Sequence, residues 1–537
     1  MPEITKLHLR GFKKYKEHTS ISFNKQTNIL IGDNDSGKSS ILQALAIILK
    51  GKYNAYASST DNSYANFLNS ELIDNFELNK MGWTDSKKLP YFRIVLEFKL
   101  ESIPENVHFF GENIPEEVKA WEPGQEGIVF EYKFNDEFET EYSKYVKDSQ
   151  QDERLSIPFD LYSATWKTFG GSSYKPRQDP FKSILIDNDN WNGDPFNAFS
   201  KQIFGTLPDD EKRKMRMSYR TAVSQVYNAN ESEFTLRINP NSTSLESILD
   251  VTNSKKVSIR HLGSGNENLI KTDLAIASKE TQLVLIEEPE NHLSAGNTKR
   301  QIQNIQNRVN FSQILITTHN PQIINRMGIN NAIWINNSKT DSGNEIVEVK
   351  RFNDLEPKTV EFFRKLDNLD FTRILSTKYV VLVEGASEYI LMDTFLNKIN
   401  SDKAPQVEVI SYSGRYYQPF LELSKLTNSK TVIFTDNDKE NSRLEQISAF
   451  NENSENVKVF SGSDLKSAWT FEVAIYQKNE LSIERTPFST RVPDQKQYML
   501  NNKTKTALDM VKRFENNDLE IPDYITDGIE WLFDDAK

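Results

Sequence analysis

Two groups of residues in this chain have the types and spacing to handle phosphate. The first is Gly32-Asp33-Asn34-Asp35-Ser36-Gly37-Lys38-Ser39, followed by Ser40. In a loop of this pattern the backbone N–H groups cradle phosphate, the lysine reaches the outer phosphates and the serine holds Mg²⁺. Gly32, Asn34, Gly37, Lys38, Ser39 and Ser40 are the candidate nucleotide-binding residues, with ATP and Mg²⁺ as the expected ligands. The second group is Val383-Glu384-Gly385-Ala386-Ser387-Glu388 together with Asp436-Asn437-Asp438, each set following an apolar run. Clustered carboxylates repel one another unless a cation neutralises them, and their hard oxygens suit Mg²⁺ or Mn²⁺. Two such ions can activate a water and stabilise a leaving oxygen. A nucleotide switch ahead of a metal-dependent phosphodiester site points to a nucleotide-gated nuclease.

The first group has partners downstream. Leu283-Val284-Leu285-Ile286-Glu287-Glu288-Pro289-Glu290 is an apolar strand tipped with adjacent acids. Glu287 is expected near Mg²⁺ and Glu288 is expected to polarise the attacking water. A strand ending in surface acids is common by itself; beside Lys38 the functional reading is favoured. Ile314-Leu315-Ile316-Thr317-Thr318-His319-Asn320 is a second apolar strand, and His319 stands where a γ-phosphate sensor belongs. A lone histidine is more often structural.

The elements that must position these residues are legible in the apolar periodicity. Strands are expected over 4–9, 21–23 and 28–31, and a helix over 39–49, so the glycine loop lies between strand and helix as its chemistry requires. Residues 50–90 read as polar, Asn/Ser-rich and partly mobile. Further strands are expected at 92–100 and 128–134. Residues 199–228 read as helical, with the basic run Lys212, Arg213, Lys214, Arg216 and Arg220. Such a run is most often a solvated helix face, and otherwise a contact for DNA or a partner. Strand–helix alternation returns over 255–335, and 355–375 reads as a charged helical connector. A second α/β alternation follows: strand 379–383, helix 387–399, strand 406–410, helix 419–426 and strand 431–435. Asp436 and Asp438 are then expected on one face of an extended segment, because alternate strand residues point the same way.

With 537 residues the chain is too long for one core. Its net charge of −12 excludes a uniformly basic nucleic-acid coat, so any DNA contact must use a local patch. The absence of cysteine removes disulfides and thiolate metal sites. No apolar leader opens the chain and no run reaches membrane-spanning length, so a cytoplasmic protein without membrane contact is expected.

The P-loop, the Glu287-Glu288 strand, the His319 strand and the opening Leu7-His8-Leu9-Arg10-Gly11-Phe12 resemble ABC-type ATPases of the branch that includes SMC and RecF-like heads. Glu287 replaces the aspartate usual there. The resemblance implies a signature motif, for which Leu262-Gly263-Ser264-Gly265-Asn266-Glu267 is a degenerate candidate, with Ser264 and Gly265 completing the partner subunit's ATP site. It also implies ATP sandwiched in a homodimer, or a higher homo-oligomer, through the heads. No sustained heptads mark the long coiled coil of SMC proteins.

The second group resembles a Toprim domain, in Glu384-Gly385, Asp436-x-Asp438 and the intermediate Gly414. Glu384, Glu388, Asp436 and Asp438 would be its metal ligands. Trp469-Thr470-Phe471-Glu472 is similar to the Thr-Leu-Glu element of Toprim nucleases, with Phe in place of Leu, which makes Glu472 a further ligand. Lys503 resembles the lysine that faces the scissile phosphate, with Lys505 as the alternative.

An ABC-type ATPase followed by a Toprim domain is similar to the OLD family of nucleases. The fold implied is α/β: an ATPase head over 1–365 with an insert at about 52–250, including a helical dimerisation region at about 199–228, then a Toprim domain over 366–537. The resemblance implies ATP-controlled DNA cleavage in anti-phage defence, by a stand-alone protein or one paired with a retron reverse transcriptase and its DNA or, as in Gabija systems, with a UvrD-like helicase. The alternatives are an ATP-driven DNA clamp or sensor whose Toprim domain is a scaffold, and a Toprim nuclease acting on RNA.

Overall fold

The computed structural model describes residues 2–534 except 52–60, 119–123, 150–152, 177–178, 187–203, 206, 224–225, 229–234, 238–244, 246–268, 270–271, 273–280, 309–310, 340–344, 367–369, 376, 413, 415 and 428. The chain divides into two compact units, Met1–Asp354 and Leu355–Lys537.

The first unit is built on two six-stranded sheets, beside a short two-stranded one. One is parallel apart from an edge strand and runs Glu345–Arg351, Ala332–Lys339, Thr27–Ile31, Gln313–Thr317, Leu283–Glu287, Ile184–Ile186. Its three central strands, TNILI, QILIT and LVLIE, are buried at every position, as expected where both faces of a parallel sheet are covered. The edge strand Ile184–Ile186 lies inside the stretch read as an insert from sequence, where three residues are too few to show a period. The second sheet is antiparallel, in the order Thr19–Ser22, Glu3–Arg10, Phe92–Lys99, Gln125–Phe134, with Phe110–Gly111 and Tyr162–Thr168 both paired to the last long strand.

Helix Lys38–Lys50 packs against strands of both sheets and is buried nearly all round, from Ile41 through Leu49. A helix apolar on every side belongs between layers. The two sheets are also tied by Gln313, fully buried, whose side-chain oxygen accepts from Ile4 N (2.8 Å) and whose amide donates to Ile4 O and Asn24 O (2.8 Å each).

Within the stretch 50–90 read as polar and partly mobile, residues 61–90 contribute to the core. Asn69 caps helix Ser70–Leu78 by accepting from Leu72 N, and Tyr64, Leu68, Phe76 and Trp83 enter the core of the unit. These apolar residues are spaced irregularly among Asn and Ser, so no period announces them. The helical reading of residues 199–228 holds for Asp209–Val223, which carries the basic run, and is corrected at its end, where Val226–Asn228 is a strand paired with Thr235–Arg237.

The second unit holds a four-stranded parallel sheet in the order Val407–Ser411, Tyr379–Val383, Lys430–Phe434, Val457–Phe460. Helix Ala386–Asn400 packs on Lys503–Glu515, with Phe395 edge-on to Phe514 at 4.9 Å. The connector expected over 355–375 is two helices, Pro357–Lys365 and Thr372–Leu375, and Phe363 of the first packs on Phe420 within this unit. Among the described residues no helix is long and apolar enough to cross a membrane.

Leu45 is fully buried in the layer-spanning helix. Leu45→Ala is expected to destabilise the first unit by about 2–5 kcal/mol through the cavity it leaves, measured by denaturant unfolding; a loss under about 1 kcal/mol would show that this helix is not a core layer.

Candidate functional site

In each unit the chemistry-bearing residues gather at the C-terminal ends of parallel strands, where loops can converge on a ligand. In the first unit the strand ending at Thr317 lies between the P-loop strand and the acid-tipped strand, so Lys38, Glu287, Glu288 and His319 are brought to one edge. Gly32 has φ +150°, and a Cβ there would meet Ile335 O at 2.1 Å, so the tight start of the loop requires glycine. Gly37 has φ +108° and precedes the helix, with the buried Tyr15 hydroxyl donating to its carbonyl at 3.1 Å. Lys38 Nζ donates to Gly32 O (2.9 Å) and Asp33 O (2.7 Å), folding back over its own loop. Burial pushes the Lys38 ammonium below its ordinary range, opposed by Glu288, Asp33 and Glu287. Asn34 is exposed, Ser39 half-buried and Ser40 buried.

Glu287 is buried, and His319 Nε2 lies 3.6 Å from Glu288 Oε1. Burial, then the neighbouring Lys38, lowers the His319 pKa, which favours a neutral ring. Glu290, the last acid of the motif that follows this strand, has a structural role. Its Oε1 accepts from Thr318 Oγ1 (2.5 Å), His319 N (3.1 Å) and Asn320 N (3.2 Å), so it anchors the loop that carries His319. Burial raises the Glu290 pKa despite these bonds. Local pattern could not reveal this, because the partners are about 30 residues away. Ser264 and Gly265 lie outside the described residues.

In the second unit Glu384 and Asp436 follow the two central strands. Glu384 Oε2 accepts from Thr435 Oγ1 and Asp436 N, both at 3.2 Å. Asp436 Oδ1 accepts from Phe471 N (2.9 Å), the first residue of helix Phe471–Lys478, which also carries Glu472. Glu388 folds back over Gly385, where a Cβ would meet its Oε2 at 3.1 Å. Burial foremost, then the neighbouring Glu384, Glu388 and Glu472, raises the Asp436 carboxyl to about 8. Burial, then Glu472 and Glu384, raises Glu388 to about 7.

Lys503 Nζ stands 3.0 Å from Glu472 Oε2, which is 2% exposed. Burial works against the Lys503 charge, but Glu472, Asp436 and Glu388 raise its pKa. The structure therefore brings Lys503 to the acids, whereas Lys505 is directed to the Tyr498 hydroxyl at 3.2 Å. Tyr412 and Tyr524 are residues that the sequence reading missed. Burial holds both phenols protonated, and the field of Glu384 and Glu388 reaches both, with Asp436 acting on Tyr524.

The common face expected for Asp436 and Asp438 is not kept. The strand ends at Phe434, Asp438 turns into the left-handed region (φ 54°), and its carboxylate pairs with Arg443. Arg443 also donates to Thr435 Oγ1 at 2.8 Å. Among the described residues no three His, Cys, Asp or Glu groups form a ready-made metal cage. The donor chemistry nonetheless fits a hard divalent cation: Glu384, Glu388, Asp436 and Glu472 are oxygen donors whose charges act on one another, with Lys503 as their ammonium counter-charge.

A family model for an AAA ATPase domain matches residues 3–324, and one for the overcoming lysogenization defect protein-like TOPRIM domain matches 376–438. The chain belongs to the OLD family. Its fold is an AAA-type ATPase domain built on a mostly parallel sheet, followed by a Toprim domain. Among solved structures, the SMC head domain from Thermotoga maritima is 12% identical, covering 65% of this chain and 98% of its own, with a TM-score of 0.30. The Smc head domain with an extended coiled coil bound to the C-terminal domain of ScpA, derived from Pyrococcus furiosus, is 16% identical, covering 68% and 100%, at 0.36. These overlays are loose, and the fold stands on the family models and the strand order. No curated protein matches the chain.

Two outcomes follow for this OLD-family chain. Glu290→Ala should lower the rate of ATP hydrolysis by about tenfold or more with little change in nucleotide affinity, since it frees the His319 loop and leaves the P-loop in place. Equal loss of binding would show that Glu290 supports the whole site. Raised carboxyl pKa values mean that the folded state holds protons more tightly than the unfolded chain, so the stability from Asp436 and Glu388 is full below the ordinary carboxylate range, falls as pH rises and is gone above about pH 8. In chelator, wild type should therefore lose more thermal stability between about pH 5 and pH 9 than Asp436→Asn, and Mg²⁺ should remove the difference. Parallel pH profiles would show that these acids ionise freely.

Proposed function

We propose that this protein is an ATP-regulated, divalent-metal-dependent endonuclease acting on DNA. The observation that carries the proposal is the convergence of Glu384, Glu388, Asp436 and Glu472 with Lys503 at one edge of the Toprim sheet. Glu384, Glu388, Asp436 and Glu472 would hold Mg²⁺ or Mn²⁺, which supplies an activated water and charge neutralisation at the phosphodiester. Phe471 N–H orients Asp436, and the Asp436 N–H and Thr435 hydroxyl orient Glu384. Lys503, half-exposed, is placed to exchange Glu472 for a phosphate oxygen. Asp438, now paired with Arg443, would be a further oxygen donor if that pair opened.

In the ATPase head, Ser39 and Glu287 would hold the Mg²⁺ of bound ATP, Lys38 would leave its loop carbonyls for the outer phosphates, and Glu288 with the neutral His319 would orient water. Dimerisation through the heads would regulate the nuclease unit. The family likeness supports a role in anti-phage defence, and neighbouring genes for a reverse transcriptase or a UvrD-like helicase would assign the partner.

Supercoiled plasmid incubated with Mg²⁺ or Mn²⁺, with and without ATP, provides the test. Nicking should be lost in Glu384→Ala and Asp436→Ala while ATP binding persists, and Lys38→Ala should nick at one rate regardless of ATP. Undiminished nicking by both acid variants would sink the assignment. Nucleotide-dependent DNA retention without strand breaks would favour the clamp, and breaks confined to RNA would change the substrate.

A further inference from the structure

Beside the Toprim acids the chain spends conformational strain on a turn whose last residue, Lys439, has no part in the chemistry just described. Asp438 and Lys439 follow one another in the left-handed region, at φ 54° and 65°, and neither is glycine. Consecutive strained residues persist only where their surroundings hold them, and they concentrate at functional sites. The holder is Asn437, fully buried, whose Oδ1 accepts from Lys439 N (2.9 Å) and whose amide donates to Gly462 O (2.7 Å) and Ala468 O (3.1 Å).

The turn aims the two side chains in specific directions. Asp438 goes to Arg443, and Lys439 is laid over the Trp469 ring, 4.2 Å from its centroid. Trp469 is half-buried and Lys439 exposed, so the pair is at the surface. It is also fastened to the acid site at three points: Trp469 O accepts from Asp438 N (3.2 Å), Phe471 N holds Asp436, and Glu472 is three residues on. An aromatic face and an exposed cation next to the proposed metal-binding acids have the chemistry to grip a nucleic-acid strand, since any base stacks on an indole and an ammonium pairs with phosphate. The exposed cation–π contact is weak enough to exchange for those partners.

We propose that Trp469 and Lys439 form a strand clamp that takes one unpaired nucleotide flanking the scissile phosphate, its base stacked on Trp469 and its backbone phosphate paired with Lys439. The clamp rests on the nuclease reading and deepens it, because a base held on an indole must be out of a duplex. The substrate at the moment of cleavage is therefore a single strand, a frayed end or an opened step.

Binding is measured by fluorescence anisotropy with Ca²⁺ in place of Mg²⁺, using a labelled single-stranded DNA oligonucleotide, its RNA counterpart and the DNA duplex of the same sequence. Trp469→Ala should weaken single-strand binding by about tenfold and leave duplex binding near wild type, while Trp469→Phe, which keeps a stacking face, should restore most of the loss. Lys439→Gln should lower the slope of log affinity against log salt by about one. The preferred strand, DNA or RNA, names the polymer.

Trp469→Ala binding the single strand as wild type does overturns the clamp. So does Trp469→Phe failing as badly as Trp469→Ala at matched melting temperature, which would mean a packing role. Both results leave Glu384-dependent nicking standing, and so are distinct from failure of the nuclease reading. A wild type that binds no strand and nicks no plasmid overturns both.

Discussion

Carboxylates held away from water are costly unless something of opposite charge stands beside them, and both units are arranged around that constraint. In the Toprim unit burial and mutual repulsion push Asp436 and Glu388 up, and Lys503 is the ammonium placed against them. In the ATPase head the signs are reversed at the centre: Lys38 is buried and Glu287, Glu288 and Asp33 surround it. Each gathers charged groups whose pKa values are displaced, which is the electrostatic form of a binding site.

The groups that maintain this arrangement are two buried amides and a half-buried acid outside the proposed ligand sets. Glu290 anchors the His319 loop, Asn437 holds the turn after Asp436, and Gln313 joins the two sheets of the head. Each spends most of its hydrogen-bonding capacity on backbone, which fixes a loop more firmly than a contact between two flexible side chains. Backbone strain follows the same distribution. Of the eight non-glycine residues with positive φ among those described, Asp35 and Glu288 lie at the nucleotide site and Asp438 and Lys439 at the acid site. Strain that the surroundings must support is thus concentrated where geometry matters to chemistry.

The two sites also share a topological logic. Parallel strands buried on both faces put their backbone polarity and their loops at one end, and that end is where Lys38, His319, Glu384 and Asp436 emerge. The head adds a second, antiparallel sheet on the far side of the P-loop helix, so the helix that presents Lys38 is clamped between layers. A phosphate-binding loop on so well-buried a helix can change partners without the helix moving.

Much of this was readable in the chain because it depends on neighbouring residues. The glycine loop, the apolar strands on either side of it, the acid tips and the α/β alternation of the second unit are local patterns, and local sterics and burial periodicity write them directly into sequence. What needed the tertiary structure was every relation between distant segments. Residues 309 apart pair Gln313 with Ile4, and nothing in either neighbourhood announces it. Lys503 and Lys505 are equivalent on paper, and only the helix orientation sends one to Glu472 and the other to Tyr498. The alternation that should have aligned Asp438 with Asp436 ended with the strand, because buried Asn437 recruits the backbone into a turn and Arg443 takes the carboxylate. The sequence by itself determined which chemistry is carried and on what kind of element. The tertiary structure decided which side chains meet, because long-range packing and the burial of charge set their directions.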